Sequence, residues 1–300
     1  MSMHRAPAGL CLALAVTGLP ACAVNIDHEG YIEREQKRFP VESAVELHLY
    51  TFDGAVEVRA WERQEIVVEI EKRGQDKDAV GKIQVIADRT GNRIQLEARH
   101  PGGRGVFVGI GTFRSPSAKF VANVPRATNL VVRSGDGSVL VERLEGRVEL
   151  RTSDGTIRAI QTSGELLAES GDGTITLEEV SGRVEARTTD GGLRIAGTPS
   201  VLRARTGDGS IVLRLRRGTV MHEDWLATTD DGSISVEIPD SFSAEIEADP
   251  GSDGRARSDI TLINLSGGTR DQRILRGRLG EGGFRFVLRT GDGNIRLTQY

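Results

Sequence analysis

Asp-Gly recurs at Asp136, Asp154, Asp172, Asp190 and Asp208, a spacing of 18 residues held four times in succession. Asp231 follows after 23 residues, and Asp53 and Asp292 are outlying copies. A strict period of this length is the mark of a repeat architecture and is sought before any local element.

Aligning the eight copies on the Asp exposes four apolar columns. Six residues before it stand Leu47, Leu130, Val148, Leu166, Val184, Leu202, Trp225 and Phe286. Four before it stand Leu49, Val132, Leu150, Ala168, Ala186, Ala204, Ala227 and Leu288. Three after it stand Val56, Val139, Ile157, Ile175, Leu193, Ile211, Ile234 and Ile295, and five after it Val58, Val141, Ala159, Leu177, Ile195, Leu213, Val236 and Leu297. A spacing of two within each pair is strand periodicity. The parity shifts across Asp-Gly, so the chain turns there and the second strand also faces inward. A second turn falls ten residues after the Asp, at Gly146, Gly164, Gly182 and Gly218, with Ser200 as the exception. Two short strands cannot bury their apolar face alone, whereas stacked copies can. The expected fold is all-β: a single-chain β-solenoid, β-helix or β-roll-like, with rungs of ~18 residues about 4.8 Å apart. An antiparallel sandwich has no reason to hold the period.

Two residues before each Asp stands Ser or Thr: Thr51, Ser134, Thr152, Ser170, Thr188, Thr206, Thr229 and Thr290. By parity these hydroxyls point inward, where they can satisfy backbone groups left unpaired by the turn and bond along the stack. The Asp can cap the turn, and the Gly after it is expected to supply positive φ. The competing reading of the Asp column is a calcium stripe, as in the 18-residue calcium β-roll. That roll carries G-G-x-G-x-D-x-U-x in both half-turns, and here one half-turn has a lone Asp and the other none. Carboxylates about 5 Å apart in water repel by only ~1 kcal/mol, so the expectation is structural Asp and no metal.

An outer column lies three residues before the Asp: Arg133, Arg151, Glu169, Arg187, Arg205 and Arg289. Its arginines form a candidate binding ladder for an anionic glycan or lipid headgroup. The alternative is a solvated face that discourages sheet-to-sheet aggregation, with Glu149, Glu169 and Glu185 interleaved.

The start of the chain reads as an address. Ala6 to Leu19 is almost wholly apolar and too short to span a bilayer. Leu19-Pro20-Ala21-Cys22 matches a lipobox, with cleavage before Cys22 and acylation of its thiol; Ala21-Cys22-Ala23 also reads as an ordinary secretory site. Cys11 and Cys22 are the two cysteines, so Cys22 would be the mature chain's sole thiol. No disulfide framework or cysteine-based zinc site follows. Ala23 permits outer-membrane sorting. The expected divisions are a lipoprotein signal over 1–21, a tether over 22–40, an irregular β section over 41–125, regular rungs over 126–240, and irregular rungs with closing strands over 241–300. Within the first β section, the Gly-rich segment from Pro101 exposes Val106, Phe107, Val108, Ile110 and Phe113, suited to capping the solenoid or meeting a partner.

Function is less constrained. The net charge of -4 excludes the basic excess that nucleic-acid binding needs. His4, His28, His48, His100 and His222 have no metal-ligand spacing. No G-x-S-x-G elbow or phosphate loop appears. Polysaccharide-cleaving β-helices build their grooves from loop insertions, and the regular rungs have none. No catalytic residue and no cofactor is expected.

The R-x-x-D-G-x-I repeats, the strand Ala55-Val56-Glu57-Val58-Arg59-Ala60-Trp61, the Asn123-Val124-Pro125 lead-in and the Gly282-to-Ile295 ending resemble a bacterial β-strand-repeat family of candidate adhesins, a domain of unknown function. The resemblance spans about residues 40 to 300. It implies a β-solenoid at the cell envelope with no established activity. Two readings follow: a scaffold that self-associates by end-to-end stacking, or an adhesin-like surface that binds glycan or an envelope protein.

Overall fold

The computed structural model describes residues 24–27, 30–42, 45–100, 115–263 and 274–300. The segment 1–21 read as an export signal, Cys22 and the segment 101–114 lie outside the described residues. The chain is all-β apart from one five-residue helix, Lys77–Gly81.

Two parallel ladders run side by side, one on each side of the Asp-Gly corner. The first stacks Arg93–Arg99, Val45–Thr51, Thr128–Ser134, Glu145–Thr152 and Ser163–Ser170. It continues through the later halves of Ile175–Arg187 and Leu193–Arg205, then Trp225–Thr229, Arg285–Thr290 and Ala244–Asp249. The second begins at Ser117–Pro125 and Val56–Trp61 and ends at Ile295–Gln299 and Ala256–Ser258. Val139, Ile157, Ile175, Leu193, Ile211, Ile234 and Ile295 lie in one register. The longer connection between Leu215 and Trp225 leaves the ladder intact because it leaves the rung at the second corner, and the stretch between Ile238 and Arg285 supplies the terminal strands Ala244–Asp249 and Ala256–Ser258. Every residue of the four predicted columns is at most 4% exposed, so the β-solenoid is as expected.

The corners show why Ser or Thr is invariant. Ser170 Oγ donates to the carbonyl of Gly155 on the preceding rung at 2.9 Å and accepts from the N–H of Gly173 at 3.0 Å. Thr206 repeats the pattern with Gly191 O at 2.8 Å and Gly209 N at 3.3 Å. All eight corner hydroxyl residues are at most 9% exposed. A buried backbone group stripped of its partner costs about 1–3 kcal/mol, so each hydroxyl protects two rungs at once.

The glycine after the Asp has a different purpose from the one expected. Only Gly54 takes a positive φ there; Gly137, Gly155, Gly173, Gly191, Gly209, Gly232 and Gly293 do not. Their Cα atoms instead stack against the carbonyl of the matching glycine on the neighbouring rung, and a Cβ would overlap that oxygen. Close approach, not backbone handedness, demands glycine. Left-handed residues cluster at the second corner, where Arg143, Gln161 and Glu179 have φ of 62°, 53° and 53°.

Two expectations about the ends are corrected. Residues 30–40, read as part of a tether, form an 11-residue strand, Gly30–Pro40, antiparallel to Glu65–Gly74. Its charges disguised it: they pair across the strands, as in Arg34–Glu71 at 2.7 Å and Lys72–Glu33 at 3.1 Å. Rung order also departs from chain order. Val45–Thr51 sits between Arg93–Arg99 and Thr128–Ser134, and the closing strand Arg285–Thr290 sits between Trp225–Thr229 and Ala244–Asp249. The closing segment is therefore the penultimate rung.

Antiparallel strands then cover three of the four outermost strands of the two ladders, Ala256–Ser258 being the exception among the described residues. Gln84–Thr90 covers Arg93–Arg99, Glu65–Gly74 covers Ser117–Pro125, and Leu275–Leu279 covers Ala244–Asp249. Covering a parallel edge removes a template for pairing with another chain.

Candidate binding surface

Because inward and outward residues alternate, the positions three before each Asp form one outer column. Tyr50, Arg133, Arg151, Glu169, Arg187, Arg205, Thr228 and Arg289 are paired in register along it. The predicted ladder is therefore a real column, and most of it is neutralised. Arg133 reaches Glu149 at 3.8 Å, and Arg151 reaches Glu149 at 3.3 Å and Glu169 at 2.9 Å. Arg187 pairs with Glu185 and lies 3.9 Å from Glu169, and Arg289 meets Glu247 at 3.4 Å.

Arg205 differs. It makes no ion pair among the described residues, and its register neighbours are Arg187 and Thr228. It faces a groove of about 810 Å³ lined also by Arg187, Arg203, Leu226, Asp249 and Arg289. Exposed Leu226 gives this groove an apolar patch among the cations. Arg203 is engaged by Glu223 at 3.4 Å. An exposed guanidinium beside a second one, with no carboxylate of its own, favours an anionic ligand and a bidentate contact.

The Asp column lies at the corner edge. Asp136, Asp154, Asp172, Asp190, Asp208, Asp231 and Asp292 are exposed, and Asp53 is half-buried. Burial pushes the Asp53 carboxyl above its ordinary range, the charge of Asp136 on the next rung adds to this, and the backbone N–H of Gly54 opposes it. Among the described residues no group of three or more His, Cys, Asp or Glu is placed to hold a metal ion.

Sequence reasoning missed a hydrogen-bonded chain on the outer face of Val45–Thr51. Glu46, His48 and Tyr50 alternate to one side of that strand. Glu46 Oε1 lies 2.7 Å from His48 Nε2, and His48 Nδ1 lies 2.8 Å from the Tyr50 hydroxyl. Arg93, in register with Glu46, donates to it through Nε at 3.1 Å and Nη2 at 3.0 Å. Those bonds, with that of His48, hold the Glu46 carboxyl below its ordinary range. The signal available was Tyr50 itself, an aromatic in a column that elsewhere holds Arg, Glu or Thr.

Stacked parallel rungs with Ser/Thr-x-Asp-Gly corners define a β-solenoid domain of a repeat family. The chain belongs to the Toastrack DUF4097 family, whose model matches residues 45–298. Among solved structures, it is similar to a candidate cell adhesion protein from Clostridium sporogenes at 13% identity, over 89% of this chain and 100% of that one, with a TM-score of 0.29. It is also similar to a candidate adhesin from Bacteroides fragilis at 12% identity, over 89% of this chain and 97% of that one, TM-score 0.43. A candidate adhesin from Parabacteroides distasonis matches at 10% identity over the same shares, 89% and 97%, with a TM-score of 0.39. No curated protein matches the chain.

Proposed function

We propose that this chain is a non-catalytic, adhesin-like binding module of the cell envelope, tethered to the outer membrane by a lipid on Cys22, whose outer arginine face holds an anionic glycan. The guanidinium of Arg205, without an ion pair among the described residues and facing a groove of about 810 Å³, carries this reading. The antiparallel covers on three of the four outermost strands favour it over a scaffold built by end-to-end stacking, since parallel edges open for stacking would be left bare.

Binding is tested by titrating the full chain with polygalacturonate. Binding that weakens with salt is expected, and Arg205→Ala should lower affinity by about tenfold or more. That corresponds to losing a charge-assisted contact of about 1.5–3 kcal/mol. Unchanged affinity in the variant would remove the ladder from the function. Anchoring is tested separately with labelled palmitate: wild type should carry label and Cys22→Ala none. A labelled variant, or an unlabelled wild type, would refute lipidation at Cys22.

A further inference from the structure

The other end of the same face is built differently. One residue before the Asp, seven copies carry Gly135, Ser153, Gly171, Thr189, Gly207, Asp230 or Gly291, and the eighth carries Phe52. Tyr50 is likewise the aromatic exception in its own column. The repeat admits small residues at the corner because adjacent rungs crowd there, so a phenyl ring at this position departs from what stacking requires.

The outermost rung sets His100 beside it. The Phe52 and His100 rings lie 5.6 Å apart, inclined at 35°. Arg133, from the rung on the other side, places its guanidinium 5.4 Å from the centre of the Tyr50 ring. These four residues border a groove of about 590 Å³, with Glu97 and Arg99 at its rim. Arg99 is held by Glu97 through two contacts, 2.6 and 2.7 Å. Arg133 has its carboxylate partner, Glu149, only at 3.8 Å, beyond hydrogen-bonding distance. Its donors are thus available while the guanidinium sits over the tyrosine ring. The Tyr50 hydroxyl is fixed in turn by His48 and Glu46, so the ring needs no ordering when a ligand arrives.

Rings and cation together select the ligand. A neutral sugar would use the ring faces and leave the guanidinium unused. A phosphate or sulfate ion would use the guanidinium and leave the rings uncovered. A sugar ring bearing a carboxylate uses both: its C–H face lies on an aromatic ring and its carboxylate meets the guanidinium fork. We propose that the groove formed by Tyr50, Phe52, His100 and Arg133 is a binding subsite for a uronic-acid residue of an acidic polysaccharide. It rests on the anionic-glycan reading of this face and adds the ring chemistry that Arg205 lacks.

The test is calorimetric titration of the full chain with tetragalacturonate, and with maltotetraose as the neutral counterpart. Tetragalacturonate should bind and maltotetraose should bind at least about tenfold more weakly. Phe52→Ala and Arg133→Gln should each weaken tetragalacturonate binding by about tenfold or more. Phe52 packs partly against the core, so exposed Arg133 serves as the variant that keeps folding out of the result. If both variants bind within about twofold of wild type while Arg205→Ala loses binding, this subsite is wrong and the arginine-ladder reading stands. If they lose binding while Arg205→Ala keeps it, the subsite stands and the ladder falls. Equal affinity for the two tetramers overturns the uronate assignment, and no binding of tetragalacturonate overturns both.

Discussion

Gly173→Ala should lower the melting temperature by several degrees or prevent folding. A Cβ at Gly173 would overlap the carbonyl oxygen of Gly155, lie 2.5 Å from its carbon and sit 2.8 Å from Ser170 Oγ. The obstructing atoms are backbone of the preceding rung, so no rotamer change relieves the clash. Overpacking of a well-packed site costs about 1–3 kcal/mol or more, and here separation of the rungs would also break the hydroxyl bonds of Ser170. At about 2–4 °C per kcal/mol for a domain of this class, the shift is readily seen in a thermal melt. Gly81→Ala is the control, since nothing lies within 4 Å of a Cβ there. Equal melting of the two variants would mean that close stacking does not explain the Asp-Gly corner.

Ile175→Asp should cost still more. Ile175 is 0% exposed and lies in register between Ile157 and Leu193. A carboxylate there has no cation to meet, and a buried unpaired charge costs several kcal/mol even after its proton equilibrium shifts. Asp172→Asn, three residues away, should change stability by no more than about 0.5 kcal/mol. Asp172 is exposed, and the turn is held by the buried hydroxyl of Ser170. Urea denaturation separates the two cases. Equal losses from both changes would show that the Asp carboxylate, not the apolar column, holds the rung.

The regular rungs were the most legible part of the molecule. Their columns came from period and parity, and Ser or Thr at the corner came from the need to satisfy buried backbone groups. The arginine column was legible as a column. Its electrostatics were not, because Glu149, Glu169 and Glu185 neutralise particular arginines across strands and leave Arg205 without a carboxylate. The site at Tyr50, Phe52 and His100 was least legible. His48 finds its partners Glu46 and Tyr50 within its own strand, a spacing that matches no usual motif, and His100 meets Phe52 only when a distant rung is brought beside it.

What the sequence by itself determined is the cross-section: two inward strands, an Asp-Gly corner and a rung that repeats every 18 residues. Parallel stacking in register requires each copy to present the same inward pattern, so repetition has to be written into the residues. What only the tertiary structure decided is the order and the ends. Either outlying copy, around Asp53 or around Asp292, satisfies the same columns at any rung, so the pattern cannot say where it sits. The outermost rungs and the strands that cover them are chosen by edge pairing and cross-strand charge. Those forces act between segments far apart in the chain and leave no period in the sequence.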